Sequence, residues 1–203
     1  MNLDTIARKY KSDKCFRGGG SHNYTPFYDM ILKGRDIRTM LEIGVYQGES
    51  LKMWREYLPK TGIYGWDIVP GESDDFNLFT IDQGKEDLIN EFFEVHPVNF
   101  DFVIDDGSHK YEDQIVSLFN IWPHLNAGGV YIIEDMWHDL FDCFLLRAFK
   151  GDYYDKIDWR IKEIVGPEKV KSLLETLICV QKNNVVFSSS DDKTDHIFYT
   201  FYK

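Results

Sequence analysis

The sequence predicts an α/β protein built on a mostly parallel β-sheet, and two observations predict it. From about Thr39 to Glu134, short apolar runs alternate with amphipathic stretches of helical spacing. That alternation marks right-handed βαβ units around a buried sheet. The apolar runs also end in glycine turns or acidic residues, as strands do when their carboxyl ends carry a site. With 203 residues, 43% hydrophobic and 16% aromatic, the chain can bury one full core, so a single domain over 1–203 is expected.

Taken in order, residues 1–38 open with a short helix-like start and pass through Arg17-Gly18-Gly19-Gly20-Ser21, which reads as a mobile loop. The core follows over 39–203. Strands are expected at 39–43, 63–67, 77–81, 100–104 and 130–134, with helices around 50–57, 86–95 and 111–121 between them. Beyond Glu134 come a helical region at 140–149, a charged stretch, and a helix at 167–176. Two β-rich runs close the chain, 177–188 around an Asn183-Asn184 turn and 196–202. Consecutive strands without helices between them predict an antiparallel edge on the parallel sheet.

Bulk properties exclude several classes. No apolar run approaches the roughly 18 to 20 residues of a membrane span, and Asp4, Arg8 and Lys9 interrupt any signal-peptide core, so a soluble cytoplasmic protein with no membrane partner is expected. Cys15, Cys143 and Cys179 are odd in number and far apart, which argues for free thiols over a disulfide framework or a zinc site. A net charge of −11 repels a polyanion. Nucleic acid is therefore not expected as a partner, and a small-molecule acceptor is.

The segment Glu42-Ile43-Gly44-Val45-Tyr46-Gln47-Gly48 joins the first strand to a helix through two glycines, which lets backbone approach a ligand at the strand's carboxyl end. No Gly-Lys-Ser/Thr follows, and the GxGxxG spacing is missing. The spacing Glu42-x-Gly44-x-x-x-Gly48 instead resembles motif I of class I methyltransferases, with Tyr46 at the usual middle glycine. The plain alternative is an ordinary strand-to-helix turn. Asp67, ending the second strand 19 residues after Gly48, is placed to accept hydrogen bonds from both ribose hydroxyls. Asp82-Gln83, ending the third, falls where that superfamily contacts adenine. An acidic pocket suits the sulfonium of S-adenosylmethionine better than a pyrophosphate.

The fourth strand runs into Asp105-Asp106-Gly107-Ser108-His109 and the fifth into Glu134-Asp135. In a 3-2-1-4-5 sheet those ends are neighbours, so Asp105, Asp106, Glu134 and Asp135 converge, which is hard to tolerate without a cation. Carboxylate oxygens suit a hard metal, Mg²⁺ before Mn²⁺ or Ca²⁺, with Asp106, Glu134 and Asp135 as ligands. His109, three residues past Asp106, is placed to take the proton of an acceptor hydroxyl. Plainer readings stand beside each: Asp105 as a helix cap, Asp135 as a turn residue, His109 as an exposed loop histidine. His138, close after the fifth strand, is a candidate substrate contact.

At Glu42-Ile43-Gly44-Val45, Trp66-Asp67-Ile68, Ile104-Asp105-Asp106-Gly107-Ser108-His109 and Gly128-Gly129-Val130-Tyr131-Ile132-Ile133-Glu134-Asp135, the chain resembles the metal-dependent macrolide-sugar O-methyltransferases of the mycinamicin and macrocin type and their relatives in polysaccharide gene clusters. The resemblance spans roughly residues 1–137. It implies a Rossmann-like seven-stranded sheet of order 3-2-1-4-5-7-6 with helices on both faces, octahedral Mg²⁺ at Asp106, Glu134 and Asp135, and His109 as general base. Lys9-Tyr10-Lys11-Ser12-Asp13-Lys14 and His22-Asn23-Tyr24-Thr25-Pro26-Phe27-Tyr28 resemble that group's N-terminal elements, implying a helical lid over the cofactor in which Tyr24 contributes; Tyr24 and Tyr28 also read as core aromatics. The 15–20 insertion departs from the expected linker. The antibiotic relatives carry a further N-terminal domain without a counterpart here.

The expected site thus comprises Glu42, Gly44, Gly48, Asp67, Asp82, Gln83, Asp105 and Tyr24 toward the cofactor, His109 and Asp106 in catalysis, and Asp106, Glu134 and Asp135 at the metal. The acceptor is expected to be a small molecule or glycan moiety, held by residues 136–165 with Trp137, Phe141, Phe144, Tyr153, Tyr154 and Trp159. Oligomeric state is open between monomer and homo-oligomer. Two other functions compete: a metal-dependent hydrolase, which leaves Glu42, Gly44, Gly48 and Asp67 idle, and a non-catalytic S-adenosylmethionine-binding protein, which leaves the acids and His109 idle.

Overall fold

The computed structural model describes residues 2–15, 22–69, 71–135, 159–177, 179–186 and 195–203. The glycine stretch at 17–21, the helix expected at 140–149, His138 and Cys143 lie outside them, as do the aromatics at 137, 141, 144, 153 and 154. Helix α1 (Leu3–Tyr10) begins where the Asn2 side chain accepts from the Thr5 N–H at 2.9 Å, and it ends at Lys11 in the left-handed region. Leu3, Ile6 and Ala7 form its buried stripe. Helix α2 (Thr25–Leu32) carries Pro26 in its first turn and buries Thr25, Tyr28, Ile31 and Leu32.

The core then alternates: β1 (Thr39–Ile43), α3 (Glu49–Tyr57), β2 (Gly62–Asp67), β3 (Asn77–Thr80), α4 (Glu86–Val95), β4 (Phe100–Asp105), α5 (Tyr111–Ile121), a 3₁₀ turn at Trp122–His124, and β5 (Leu125–Ile133). Helices α6 (Trp159–Val165) and α7 (Pro167–Thr176) precede β6 (Cys179–Val186) and β7 (Asp195–Tyr202). The seven strands form one sheet in the order β3-β2-β1-β4-β5-β7-β6. The first five lie parallel, and β7 runs antiparallel to both β5 and β6. Order, edge and Rossmann-like architecture are as the sequence led one to expect.

One local expectation fails. Asn183 and Asn184 do not turn the chain; they pair with Phe198 and Ile197 inside an unbroken ladder from Cys179 to Val186. Strand β6 is the edge of the sheet among the described residues, where residues that elsewhere signal turns are tolerated.

Side chains of the central strands alternate between two apolar layers. Met40, Phe102, Ile104, Val130 and Ile132 pack with α1, α2 and α3, whereas Leu41, Ile43, Val103, Tyr131 and Ile133 pack with α4 to α7. Strand β1, buried along all but its first residue, lies inside the sheet between β2 and β4. Glu42 interrupts its apolar run and is fully buried. No described helix is long and apolar enough to cross a membrane. Cys15 is buried and Cys179 half-buried, and neither is in a disulfide among the described residues.

Candidate functional site

Because β1 to β5 run parallel, their carboxyl ends share one edge, and a cavity of about 520 Å³ opens there. Its walls include Gly44, Val45 and Tyr46 from the loop after β1, Asp67 and Ile68 after β2, Asp82 and Gln83 after β3, and Asp106 to His109 after β4. Lys11, Ser12 and Asp13 of the N-terminal segment close another side. A cleft outside the strand ends, at the crevice where the order reverses, is where open α/β sheets bind ligands.

The loop after β1 requires its glycine. Gly44 has φ +88°, and a Cβ there would stand 2.1 Å from the carbonyl oxygen of Asp106, so any side chain would force the loops after β1 and β4 apart. Asp67 braces the same loop: its Oδ2 accepts from the N–H groups of Val45 and Tyr46, both at 2.9 Å, and its Oδ1 accepts from Val69 N–H at 2.9 Å. Asp82 accepts from Gly84 N–H at 3.0 Å. Gln83 ties two strand ends together, accepting from Ser108 N–H at 2.8 Å and donating to Asp105 Oδ1 at 2.8 Å.

Several expected residues lie elsewhere. Asp105 does not line the cavity: it is fully buried and accepts from Gln83, from Ser117 Oγ at 2.5 Å and from the Tyr131 hydroxyl at 3.2 Å. Burial pushes its carboxyl up, against these hydrogen bonds, which pull it down. Its work is to hold Gln83 and the loop after β4. Gly48 starts α3 with φ +77° and lines an adjoining cavity with Leu51, Phe76, Leu78 and Phe79. Glu42 sits behind the cavity wall, accepting from Ser50 Oγ at 2.9 Å, while its Oε1 has no hydrogen-bond partner among the described residues.

The acids at the ends of β4 and β5 do converge, but a cation from the chain itself meets them. Lys14 Nζ lies 2.5 Å from Asp106 Oδ2, 2.8 Å from Glu134 Oε2 and 3.6 Å from Glu42 Oε1. The cation that such a convergence of acids calls for is thus supplied in part by the chain itself. Glu134 Oε1 also accepts from the Tyr28 hydroxyl, and Asp135 Oδ1 accepts from Tyr24 at 2.6 Å. His22 Nδ1 lies 3.5 Å from Asp135 Oδ2. Tyr24 and Tyr28 are therefore both core aromatics and partners of the acids, and Tyr24 is absent from the cavity wall.

Burial dominates the electrostatics. It pushes Glu42 and Glu134 up to about 7, although Lys14 pulls both down. Burial also works against the charge on Lys14, yet Asp106, Glu134 and Glu42 together hold its pKa well above the usual lysine value. His22 is raised despite its burial, through Asp135. The Tyr24 phenol is pushed far up by burial and by Glu134 and Asp135.

Asp106, His109 and Asp135 each offer a ligand atom within 4.8 Å of the others. This grouping shares Asp106 and Asp135 with the expected set and has His109 in place of Glu134, whose two oxygens accept from Lys14 and Tyr28. Three carboxylates, Asp106, Glu134 and Glu42, face the one ammonium of Lys14, and Asp135 lies beside Tyr24 and His22, so the cluster offers the oxygen donors that a hard divalent cation fits. His109 and Asp135 adopt positive φ, 54° and 49°, as do Lys11, Asn23 and Tyr46. Non-glycine residues rarely do so; Lys11, Tyr46 and His109 line the cavity, Asp135 belongs to the acid cluster, and Asn23 lies between His22 and Tyr24, which both contact Asp135.

Lys14 is the residue that sequence reasoning missed as functional. The available signal was a lysine in an otherwise helix-flanking segment that resembled a known element, but nothing local told that its charge would be buried. Gln114, which donates to the Glu134 carbonyl at 3.2 Å, and Ser117 were missed for the same reason: helix α5 presents them inward, and periodicity reads them only as core positions.

The fold is that of a class I methyltransferase, and comparison with known proteins agrees. Residues 41–136 match the family described as a methyltransferase domain. The chain is 36% identical over 148 residues to an 8-demethyl-8-(2-methoxy-alpha-L-rhamnosyl)-tetracenomycin-C 3'-O-methyltransferase of Streptomyces olivaceus, covering 67% of this chain and 37% of that protein. To the mycinamicin VI 2''-O-methyltransferase of Micromonospora griseorubida it is 35% identical over 150 residues, 67% of this chain and 36% of the relative. The chain thus spans well under half of the relatives it matches. The solved structure of MycE methyltransferase with Mg, S-adenosylhomocysteine and mycinamycin VI covers the whole chain with a TM-score of 0.64 at 25% identity, over 54% of that protein. The chain belongs to the class I S-adenosylmethionine-dependent methyltransferases and is related to the macrolide-sugar O-methyltransferases.

Proposed function

We propose that this chain transfers the methyl group of S-adenosylmethionine to a hydroxyl on the sugar of a glycosylated small molecule, with a divalent cation, Mg²⁺ first, beside the acceptor. The carrying observation is the single cavity wall that runs from Gly44, Asp67, Asp82 and Gln83 to Asp106 and His109. Asp67 has lone pairs left for ribose hydroxyls after bracing the loop, and Asp82 and Gln83 flank the place for the base. Asp106 and Asp135 would hold the cation, joined by Glu134. A cation there would polarise the acceptor hydroxyl and make its proton easier to remove.

His109 acts as the base. Its Nε2 lies 3.8 Å from Asp106 Oδ1, and its Nδ1 is buried without a hydrogen-bond partner among the described residues. The ring takes the hydroxyl proton as the acceptor oxygen attacks the methyl carbon opposite the departing sulfur. Cys15 and Cys179, outside any disulfide among the described residues, accord with a reducing compartment, and the cytoplasm is the proposed setting.

Calorimetry with S-adenosylhomocysteine, followed by radiolabelled methyl transfer to a panel of glycosylated acceptors with and without chelator, tests this reading. Binding, transfer, loss of transfer in chelator and restoration by Mg²⁺ but poorly by Zn²⁺ are expected. Failure to bind the cofactor product would return the fold to a hydrolase or another use, and full transfer in excess chelator would leave the acids structural.

A further inference from the structure

Nothing in the proposed chemistry uses Lys14, yet its side chain is only 1% exposed and touches three acids. An ammonium is costly to bury, and one well-placed carboxylate suffices to offset the charge. Two of the three partners here, Asp106 and Glu134, belong to the proposed cation cluster. Glu134 is fully committed, with Oε2 accepting from Lys14 and Oε1 from Tyr28. Asp106 turns Oδ2 to Lys14 and Oδ1 toward His109. Asp106 Oδ1 can thus meet a divalent ion as it stands, Asp135 can do so only by sharing oxygens that Tyr24 and His22 already contact, and Glu134 can join only if the ammonium gives way.

We propose that Lys14 is a positioning residue that acts as an internal cation: it competes with the divalent metal for Asp106 and Glu134, holding the metal-free cluster together and keeping the metal's affinity low enough for exchange. This rests on the metal-dependent reading above. The sign follows from electrostatics. A positive charge next to two acids of a cation site repels an incoming divalent ion and occupies its oxygens, so removing that charge should tighten metal binding while loosening the metal-free fold. The lysine arrives on the segment whose Lys11, Ser12 and Asp13 form part of the cavity wall, so the N-terminal segment and the metal would be read by the same carboxylates.

The test is calorimetric titration of Mg²⁺ and Mn²⁺ into protein saturated with S-adenosylhomocysteine, comparing wild type with Lys14→Gln, Lys14→Met and Lys14→Arg. Gln and Met should bind the metal at least tenfold more tightly and melt lower without it, a deficit that saturating Mg²⁺ narrows; Arg should stay within about threefold of wild type. A purely structural lysine would lower the melting temperature without tightening the metal. Equal or weaker affinity in the neutral variants overturns the proposal. Should both fail to fold, wild type labelled with ¹⁵N-lysine decides: the Lys14 ammonium resonance must move on Mg²⁺ titration, and a fixed resonance at saturation overturns it. Wild type that binds S-adenosylhomocysteine but no divalent ion instead removes the metal-dependent reading itself.

Discussion

His109 shows how one backbone conformation can turn a loop histidine into a candidate base. Its φ of 54° lifts the ring off the path of the chain toward Asp106, and Gly107 beside it makes room, since a Cβ there would stand 1.8 Å from Gln83 Oε1. The ring could serve as a ligand or as a base, because it falls into the same group as Asp106 and Asp135. Hard divalent ions prefer the oxygens already present, which favours the base. His109→Ala should therefore keep its affinity for S-adenosylhomocysteine and for Mg²⁺ and lose about 10²- to 10⁴-fold in turnover. Lost metal affinity in calorimetry would make His109 a ligand, and near wild-type turnover at neutral pH would give its proton to solvent.

Among the elements, the two edges of the parallel sheet divide labour. The carboxyl edge carries the cavity, whereas at the opposite edge Asp101 accepts from the N–H groups of Arg38 and Thr39 at 2.8 and 3.1 Å and from Asn126 Nδ2 at 2.7 Å, clasping the starts of β1, β4 and β5. Removing these charge-assisted bonds with Asp101→Ala should cost roughly 1.5 to 3 kcal/mol of stability and leave S-adenosylhomocysteine affinity unchanged; a parallel loss of affinity would mean that the clasp sets the geometry of the cavity as well. The elements were largely legible because each is marked locally: helices 86–95, 111–121 and 167–176 coincide with the spacing that predicts them. Asn183-Asn184 misled because edge strands accept residues that elsewhere signal turns. At the site, Gly44, Asp67, Asp82 and Gln83 were legible since strand-end position in a parallel sheet fixes their place. Asp105 was not: successive strand residues face opposite ways, so of Asp105 and Asp106 only one can meet the cavity, and the sequence pattern does not say which. Lys14 was invisible because its partners lie 92 and 120 residues away.

For the molecule as a whole, a buried cluster of acids around one lysine lies at one end of the sheet, and stability should follow from that. Without metal, burial holds the Glu42 and Glu134 protons up to about 7, compared with about 4.3 in an unfolded chain. Between these values the folded state binds more protons than the unfolded one, so stability falls as pH rises through that window and levels off above it. Glu56, held low by Lys9 and Tyr10, titrates at the acid end and does not oppose the trend above pH 5. Self-repulsion of an increasingly anionic chain acts in the same direction. The two carboxyls share Lys14, so their effects will not add in full. At this size about 1 kcal/mol corresponds to roughly 2 to 4 °C, and chelated protein should melt several degrees lower at pH 8 than at pH 5.5. Adding Mg²⁺ should recover most of the loss at pH 8 and little at pH 5.5, since only the ionised carboxylates bind it and binding to the folded state alone stabilises it. A chelated protein whose melting temperature is flat or rising over that range would mean that Glu42 and Glu134 are ionised already at pH 5.5, with Lys14 compensating their burial completely.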